Sequence, residues 1–227
     1  MSGSGPRTRR LRSILKRRER TTPERRPALD ARGLGVLARP LAIVYTDTDD
    51  FTHRAARDGI LHFLMCFDRA LRQLRPGITR NGGRVVKIEA DSLMLAFPDP
   101  PSACRGVDAM EQALRRVNRG RPTNEQLAFS YGIGFGQVLE LEDDVFGLEV
   151  NLASKLGEDL ARPGEVLLTP SAAETLPAPL RRRLVPYGQV GFAGRPMPVQ
   201  RLRPRGSSSA PAGRRIPRRP ARRGSSE

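Results

Sequence analysis

The sequence predicts an α+β or α/β sandwich in which helices pack on one mixed β-sheet. Short apolar runs, typical of buried strands, alternate with segments whose apolar residues recur every three or four positions, as on one face of a helix. Gly-, Pro- and Asn-containing turns separate these segments. Two of the apolar runs, "RVVKI" and "LMLAF", are separated only by "EADS", which predicts a β-hairpin. A hairpin combined with strand–helix–strand units favours one sheet covered by helices.

The first half of the predicted domain contains a strand, a long helix and the hairpin. The run "LAIVY" is typical of a strand buried on both faces. The helix that follows is predicted to end at "RPG" and then "NGG". Its apolar positions have spacings of four and three: Ile60, Leu64, Phe67, Leu71 and Leu74.

The second half adds helices and strands in alternation. The segment "SACRGVDAMEQALRRV" predicts a second helix, and "LAFSYGIGF" and "QVLEL" predict another pair of strands. The glycines of "GIGFG" are not a dinucleotide fingerprint, because a strand rather than a helix follows them. The remaining predictions are a helix in "VFGLEVNLASKLGEDLA", a strand in "EVLLT", a short helix in "SAAETL" and a closing strand in "MPVQRL".

The positive charge of the chain lies at its two ends. The 227 residues have a net charge of +16. Residues 1–40 carry +9 and residues 202–227 carry +7, so the middle is neutral. Because the ends are rich in Arg, Pro, Ser and Gly and contain few apolar residues, we predict disordered tails at 1–38 and 204–227 around one domain at 39–203. Arginine clusters could contact nucleic acid or an acidic membrane, and a merely solvated tail is the alternative.

The cysteines and the hydropathy favour a cytoplasmic protein. Cys66 and Cys104 fall within helical patterns and are predicted to be core residues, since neither a disulfide framework nor a CxxC spacing exists. No apolar run approaches the length of a membrane span. The segment "RTRRLRSILKRRER" is not followed by an apolar region, so no secretory signal is expected.

The stretch "YTDTDDFT" places three aspartates where a buried strand ends and a helix begins. A carboxylate such as Asp47 beside a helix N-terminus can hold Mg²⁺, and the N-terminus offers backbone N–H groups to a phosphate. Asp49 is interpreted as a turn or solvent residue. The alternative for the whole stretch is a polar turn that caps the helix.

Two further pairs of polar residues, Asp91 with Lys87 and Asn151 with Lys155, could be ordinary surface or turn residues or part of a functional site. Asp91 lies in the hairpin connection, where turn residues are common, and Lys87 could lie on a solvated strand face. Asn151 and Lys155 are four residues apart, so on a helix they share a face. The alternative is an asparagine tolerated in the first turn of a helix, with a solvated lysine.

Three of these segments, in this order, resemble the class III nucleotidyl cyclase catalytic domain, found in adenylate and guanylate cyclases. "YTDTDDFT" resembles the aromatic-x-Asp-x-x-Gly-Phe-Thr block, and "KIEAD" resembles a block with Lys four residues before the hairpin Asp. "DVFGLEVNLASK" resembles Asp-x-x-Gly-x-x-Val-Asn-x-Ala-Ser-Arg, and "PGEVLLT" also matches. The resemblance covers about residues 40–202 and implies a ferredoxin-like α/β sandwich with a mainly antiparallel sheet.

The resemblance also implies a reaction and its site residues. ATP would be converted to 3′,5′-cyclic AMP and pyrophosphate with two Mg²⁺ (or Mn²⁺) per site, at the interface of a homodimer in which each chain carries both halves of the site. Diguanylate cyclase, a related fold, is set aside because its Gly-Gly-Asp/Glu-Glu-Phe signature is absent. The implied roles are metal binding by Asp47, Asp91 and the Thr48 carbonyl; phosphate contact by Phe51 and Thr52; purine recognition, favouring adenine, by Lys87 and Asp144; substrate orientation by Asn151; and transition-state stabilisation by Lys155.

The sequence departs from the family pattern at the phosphate-binding positions. Asp50 and Ala90 stand where the family has glycine, and Lys155 replaces an arginine whose fork can bind two oxygens. Ala193 stands where many members carry a triphosphate-binding lysine, with Arg195 nearby. These departures leave two alternatives: a catalytically weak or inactive nucleotide-binding or interaction module, or a cyclase with another nucleotide substrate.

Overall fold

A computed structural model of the protein describes residues 5–48 and 50–205. The helices within these ranges are α1 (Pro6–Glu19), α2 (Arg26–Leu37), α3 (Phe51–Asp58), α4 (Ile60–Arg80), α5 (Pro100–Asn118), α6 (Leu148–Ser154), the π-helical turn Lys155–Leu160, α7 (Pro170–Glu174) and α8 (Ala178–Arg181), with short 3₁₀ turns at Pro23–Arg25 and Thr123–Glu125. The strands are β1 (Ala38–Thr48), β2 (Arg84–Glu89), β3 (Ser92–Phe97), β4 (Phe129–Glu140), β5 (Val145–Phe146), β6 (Val166–Leu168), β7 (Leu184–Phe192) and β8 (Arg195–Leu202).

These strands form one mixed, mainly antiparallel sheet, as predicted. Its order is β2-β3-β1-β4-β6-β8-β7, and β5 pairs with β4. The pair β4–β6 is parallel, and the other pairs are antiparallel. The first four strands, joined by α3–α4, the hairpin and α5, have the βαββαβ order of a ferredoxin-like unit. The predicted α+β class is therefore confirmed.

The sheet is covered on both faces, because side chains alternate along each strand. On β1, Ala42 and Val44 pack in the larger core with α4 and α5. Ile43 and Tyr45 pack on the opposite face with Val150 of α6. This arrangement places the end of β1, which carries Asp47, where the strands of the sheet end, between the two layers.

The glycines of β4 let α6 lie directly on the sheet. A Cβ atom added at Gly132 would lie 2.0 Å from the carbonyl oxygen of Ala153. One added at Gly157, in the π-helical turn, would lie 2.5 Å from the carbonyl oxygen of Tyr45. Real Cβ atoms do not approach so closely. The "GIGFG" segment therefore serves a backbone-to-backbone contact between α6 and the sheet.

Of the two signals predicted to end this helix, "RPG" does not end α4, whereas "NGG" follows directly after its last residue, Arg80. Pro76 lies inside the helix, where proline usually costs about 3 kcal/mol. Two contacts favour continuation. Gly77 faces α5 so closely that a Cβ would lie 3.1 Å from that of Ala109. The side chains of Arg80 and Asn81 donate to the carbonyls of Pro76 and Gly77 at 3.2 and 2.8 Å.

Two strand predictions are also corrected. The predicted strand pair "LAFSYGIGF" and "QVLEL" is one continuous strand, β4, because β1 pairs with it over its whole length, from Ala38 opposite Leu139 to Thr48 opposite Phe129. Strand β7 was not predicted. It contains Pro186 and Gly188, residues that weaken a strand signal, and it forms an edge paired with β8.

The prediction of a disordered N-terminal tail is wrong for residues 6–37, which form α1 and α2. Leu37 is 1% exposed and Thr8 is fully buried. Ile14 of α1 packs against Gly33 of α2. The order rests largely on polar contacts of α1 with the end of β4, which composition does not reveal. Residues 206–227, most of the predicted C-terminal tail, lie outside the described residues.

Both cysteines are buried free thiols, as predicted. Burial raises the pKa of Cys104 to about 12. Among the helices of the described ranges, none combines the length and the apolar character needed to cross a membrane.

Candidate active site

Two carboxylates lie side by side where β1 and the β2–β3 hairpin end. Strand β1 pairs with β3 so that Thr46 is opposite Leu93. The Thr48 hydroxyl donates a 2.5 Å hydrogen bond to Asp91 Oδ2. The Ser92 hydroxyl donates a 3.3 Å hydrogen bond to Asp47 Oδ1. Asp47 and Asp91 are thus held at one edge of the sheet, and Asp91 is only 9% exposed.

This donor set suits a hard divalent cation. Carboxylate and backbone carbonyl oxygens are the ligands that Mg²⁺ prefers, and Mg²⁺ usually takes only one or two carboxylates. Asp47, Asp91 and the Thr48 carbonyl provide such oxygens. Within residues 5–48 and 50–205, no cluster of three or more His, Cys, Asp or Glu side chains could hold a metal ion. Further oxygens would have to come from substrate phosphates or water.

The two positions where the family has glycine both adopt a left-handed backbone. Asp50 has φ 64° and Ala90 has φ 51°. Glycine adopts this conformation without steric cost, whereas an L-residue with a Cβ atom is strained by about 1–2 kcal/mol. Both residues therefore hold a backbone conformation that glycine would adopt more easily. Asp50 precedes α3 and its side chain is 53% exposed. Asp49 lies outside the described residues.

The predicted phosphate-contacting residues face different directions. The Phe51 ring packs edge-on against Phe63, with centroids 4.7 Å apart, so its side chain anchors α3 in the core. Thr52 is exposed. The first intrahelical bond runs from the Arg54 N–H to the Asp50 carbonyl. The N–H groups before it in the first turn have no intrahelical acceptor and are the groups that could contact a phosphate.

Lys87 and Asp144 share one electrostatic environment. Lys87 forms an ion pair with Glu89, which is the main cause of the raised pKa of Lys87, and the charge of Asp144 contributes in the same direction. Glu89 also accepts a 3.2 Å hydrogen bond from the Tyr45 hydroxyl, and its own pKa is lowered, mainly by Lys87. Sequence analysis missed Glu89 as a partner, although alternation along β2 places both side chains on one face.

Asp144 lies in the turn between β4 and β5. Its carboxylate accepts a 2.8 Å hydrogen bond from the Val145 N–H, and its carbonyl accepts one of 2.8 Å from the Leu141 N–H. The turn is therefore compact, and the half-buried carboxylate is fixed near its own backbone.

Asn151 and Lys155 lie one turn apart at the junction of α6 and the π-helical turn. Asn151 is exposed, and Lys155 forms a 3.3 Å ion pair with Asp159. The predicted single helix thus changes its hydrogen-bonding pattern at Lys155. Such π turns are often found at functional sites.

Glu158 is a further acidic residue near this edge that sequence analysis missed. Partial desolvation is the largest cause of its raised pKa, while hydrogen bonds from Ser154 and Ser92 act in the opposite direction. Glu158 therefore shares Ser92 as a hydrogen-bond partner with Asp47. The sequence offers no signal for this, because a helical pattern alone places Glu158 on the helix surface.

Ala193 and Arg195 lie apart from the carboxylate pair within one chain. Both are exposed at the β7–β8 turn, where Ala193 has φ 49°. Strands β4 and β6 separate β8 from β1 in the sheet.

Comparison with curated proteins finds adenylate cyclases. "Adenylate cyclase" of Streptomyces coelicolor is 30% identical over 141 residues, which are 61% of this chain and 34% of that protein. A Rhizobium meliloti (strain 1021) protein, whose adenylate cyclase name is provisional, is 28% identical over 131 residues, or 58% of this chain and 22% of that protein. The chain therefore corresponds to between about a fifth and a third of the length of these relatives. No family model matches the sequence.

Comparison with solved structures finds cyclase domains. The adenylate/guanylate cyclase/hydrolase from Silicibacter pomeroyi has a TM-score of 0.63 and 22% identity, and the match covers 74% of this chain and 98% of that one. At this identity the likeness shows the fold. The resemblance predicted from the sequence is confirmed: the chain has the fold of class III adenylate/guanylate cyclase domains and is similar in sequence to adenylate cyclases.

Proposed function

We propose that this chain, which has the fold of a class III nucleotidyl cyclase domain, converts ATP to 3′,5′-cyclic AMP and pyrophosphate. The observation that carries the proposal is the pair Asp47 and Asp91, held side by side by Thr48 and Ser92 at the end of a buried strand. The side-chain chemistry of Lys87, a cationic donor, and of Asp144, an anionic acceptor, supports recognition of a purine base, with adenine favoured.

In this proposal each group has a defined task. Asp47, Asp91 and the Thr48 carbonyl hold two Mg²⁺ or Mn²⁺ ions. When bound, the ions supply activation of the ribose 3′-hydroxyl and neutralisation of the charge on departing pyrophosphate. The first-turn N–H groups of α3, including that of Thr52, bind phosphate oxygens. Asn151 orients the substrate, and the Lys155 ammonium, once released from Asp159, stabilises negative charge at the α-phosphate.

We also propose that the active form is a homodimer. Exposed apolar side chains on one side of α4 support this, because adjacent exposed apolar residues mark interaction surfaces. Leu61 is 79% exposed, and Ile60, Leu64 and Met65 lie beside it on the helix. The buried free thiols fit the proposed cytoplasmic location.

Turnover of nucleotides tests the proposal directly. The purified protein is incubated with ATP, GTP, CTP or UTP and either Mg²⁺ or Mn²⁺, and cyclic product and pyrophosphate are measured. We expect product from ATP, and loss of at least about 100-fold in Asp47→Asn and Asp91→Asn. The matched control is Glu174→Gln, which removes one negative charge from an exposed residue of α7, away from the proposed site and from the exposed face of α4.

The outcomes separate the parts of the proposal. No cyclic product and no pyrophosphate from any nucleotide would contradict a cyclase. Product from GTP or a pyrimidine nucleotide alone would keep the reaction class and overturn the adenine assignment.

The second candidate is a nucleotide-binding module without turnover. Two observations favour it: Asp50 adds a negative charge beside the proposed phosphate site, and Lys87 is already paired with Glu89. This candidate predicts that nucleotide raises the thermal unfolding temperature while no product forms. Stabilisation that is unchanged in Asp47→Asn would exclude a metal-dependent site.

A polyanion contact through the basic ends is a third, separate proposal. One face of α1, together with the residue that caps its end, carries basic side chains and one serine at spacings of three and four: Arg9, Arg12, Ser13, Lys16, Arg17 and Arg20. Nucleic acid is favoured over a membrane because this helix has few apolar residues to insert. Replacing Lys16 and Arg17 by Glu is expected to weaken salt-sensitive binding to duplex DNA. Unchanged DNA binding, or binding only to acidic vesicles, would contradict the proposal.

A further inference from the structure

The first turn of α1 is capped by a side chain from the β4–β5 turn. The Glu142 carboxylate accepts hydrogen bonds from the N–H groups of Arg7 and Thr8, at 2.5 and 3.1 Å, and from the Thr8 hydroxyl at 2.6 Å. A carboxylate at this position satisfies N–H groups that have no intrahelical acceptor and opposes the positive end of the helix dipole. The contact is close: a Cβ at Gly5 would lie 2.1 Å from Glu142 Cδ.

A second contact ties the same turn of α1 to the end of β4. Arg7 Nε donates to the Glu140 carbonyl at 2.6 Å, and a second guanidinium nitrogen donates to the Leu37 carbonyl at 2.8 Å. The Glu140 carboxylate in turn pairs with Arg84 of β2 at 2.8 Å and with Arg39 of β1 at 3.3 Å. The Glu140 side chain is 15% exposed, whereas those of Arg84 and Arg39 are 40% and 59% exposed, so Glu140 is the buried member at the centre of the group.

The β4–β5 turn and strand β2, which these contacts hold, each carry one residue of the proposed base-recognition pair, Asp144 and Lys87. Glu142 is two residues before Asp144 in the same compact turn, whose closure joins Leu141 to Asp144. Arg84 is three residues before Lys87 on β2, and the pairing of β2 with β3 shifts register between Val85 and Lys87. Lys87 lies just beyond this shift, where it pairs with Met94 of β3. The ion pair between Glu140 and Arg84 holds the start of β2, before the register shift.

We propose that Arg7, Thr8, Glu140 and Glu142 form a clamp that positions Lys87 and Asp144 and thereby sets nucleotide-base selectivity. The proposal rests on the proposed function, since it assumes that Lys87 and Asp144 recognise the base. The clamp residues are positioning residues. They hold the two elements at a fixed separation, so a base that needs a different separation binds less well.

The clamp depends on a carboxylate at position 142. Glu142 receives its bonds through both oxygens, whereas glutamine would turn an NH₂ group toward one set of N–H donors. Asp143, the next residue, is exposed and carries the same charge. Asp143→Asn is therefore the matched control for Glu142→Gln, because it removes one negative charge near Lys87 and leaves the α1 contacts in place.

The test combines hydrogen exchange with nucleotide binding in the full chain. In Glu142→Gln we expect faster amide exchange over residues 140–146 and a fall in the ATP-to-GTP selectivity, measured with fluorescent analogues of both nucleotides. The expected fall is roughly fivefold, as for one lost hydrogen bond. We expect KM to change and kcat to stay within about twofold, since the clamp contacts no reacting atom. Asp143→Asn should change neither exchange nor selectivity.

A double-mutant cycle adds a readout that folding defects do not reproduce. Thr8→Val and Glu142→Gln should be strongly non-additive in exchange and selectivity, because they remove the same contact. Additive effects, or unchanged selectivity despite faster exchange, would overturn the clamp as a selectivity device. If the wild-type chain binds no nucleotide, the proposed function and with it the role in base recognition fail, and unchanged exchange over 140–146 would then overturn the clamp itself.

Discussion

The hydroxyl of Thr48 donates a 2.5 Å hydrogen bond to the carboxylate of Asp91, joining the end of β1 to the β2–β3 turn. Thr48 is 3% exposed and Asp91 is 9% exposed, so the bond lies away from bulk water. A carboxylate buried without such a donor is destabilised. This bond therefore gives Thr48 a structural task in addition to the metal-ligand role proposed for its carbonyl.

Thr48→Val is expected to lower the free energy of unfolding by about 1–3 kcal/mol, because it leaves the Asp91 carboxylate without its donor while keeping the side-chain shape. Thr48→Ser retains a hydroxyl and should lower the free energy of unfolding by less. Urea denaturation monitored by circular dichroism measures both. Equal stability of the valine variant and the wild type would show that the bond contributes nothing.

Ala90→Gly and Asp50→Gly are expected to stabilise the fold by about 1 kcal/mol each, because glycine removes the strain of a left-handed backbone. Asp50→Gly should also lower KM for ATP, since it removes a negative charge beside the proposed phosphate site. The control is Ala38→Gly. Ala38 has an ordinary φ of −79°, so this substitution should destabilise the fold. A stabilisation shared by all three variants would contradict the strain argument. Thermal melts and nucleotide titrations measure these effects.

Gly132→Ala and Gly157→Ala are expected to destabilise by more than about 3 kcal/mol, because the new methyl group would collide with backbone carbonyls rather than with movable side chains. Gly35→Ala in α2 is the matched control. It has no atom within 4 Å of its added Cβ, and alanine favours a helix, so that variant should be neutral or slightly stabilised. Soluble yield and denaturation midpoints test this contrast, and a folded Gly132→Ala variant of normal stability would refute it.

The cap of α1 predicts a pH dependence of stability. Hydrogen bonds, first of all that from the Thr8 hydroxyl, lower the pKa of Glu142 from 4.5 to about 2. The folded state therefore favours the ionised form, so the contribution is complete above the unfolded pKa and is lost as pH falls from 4.5 toward 2. The stability difference between wild type and Glu142→Gln should be constant near neutral pH and shrink below about pH 4.5. A difference that does not vary with pH would rule out this linkage.

The sequence predicted the central strands and helices and the order along the chain of the segments that carry the candidate site, because both depend on local patterns. Alternation and apolar spacing located β1, the hairpin and α5, and the fold shared with cyclase domains confirms the inference from "YTDTDDFT", "KIEAD" and "DVFGLEVNLASK". The roles of the individual site residues remain predictions. The bond between Thr48 and Asp91 is not visible in the sequence, since it depends on how the hairpin bends over the end of β1.

The elements that were missed depend on contacts distant in sequence. Helix α1 is ordered by Glu142, more than 130 residues away, as the separation of 135 between Arg7 and Glu142 shows. Its arginine-rich composition alone indicates disorder. Helix α4 continues through Pro76 because of the close approach of α5 at Gly77, and β4 is continuous because β1 pairs with all of it. Each local signal was outweighed by a tertiary contact.

The seating of α6 on bare backbone at Gly132 and Gly157 has a mechanical consequence. Only glycine fits where Gly132 meets the Ala153 carbonyl and where Gly157 meets the Tyr45 carbonyl. Sliding α6 by one residue would bring other side chains against these backbone atoms, so sliding of the helix along the sheet is blocked. Asn151 and Asp47 therefore belong to one stiff body. The hairpin that bears Asp91 is held to this body by separate contacts, the Thr48–Asp91 hydrogen bond and the Glu140–Arg84 ion pair, so its position is set by side chains rather than by close backbone packing.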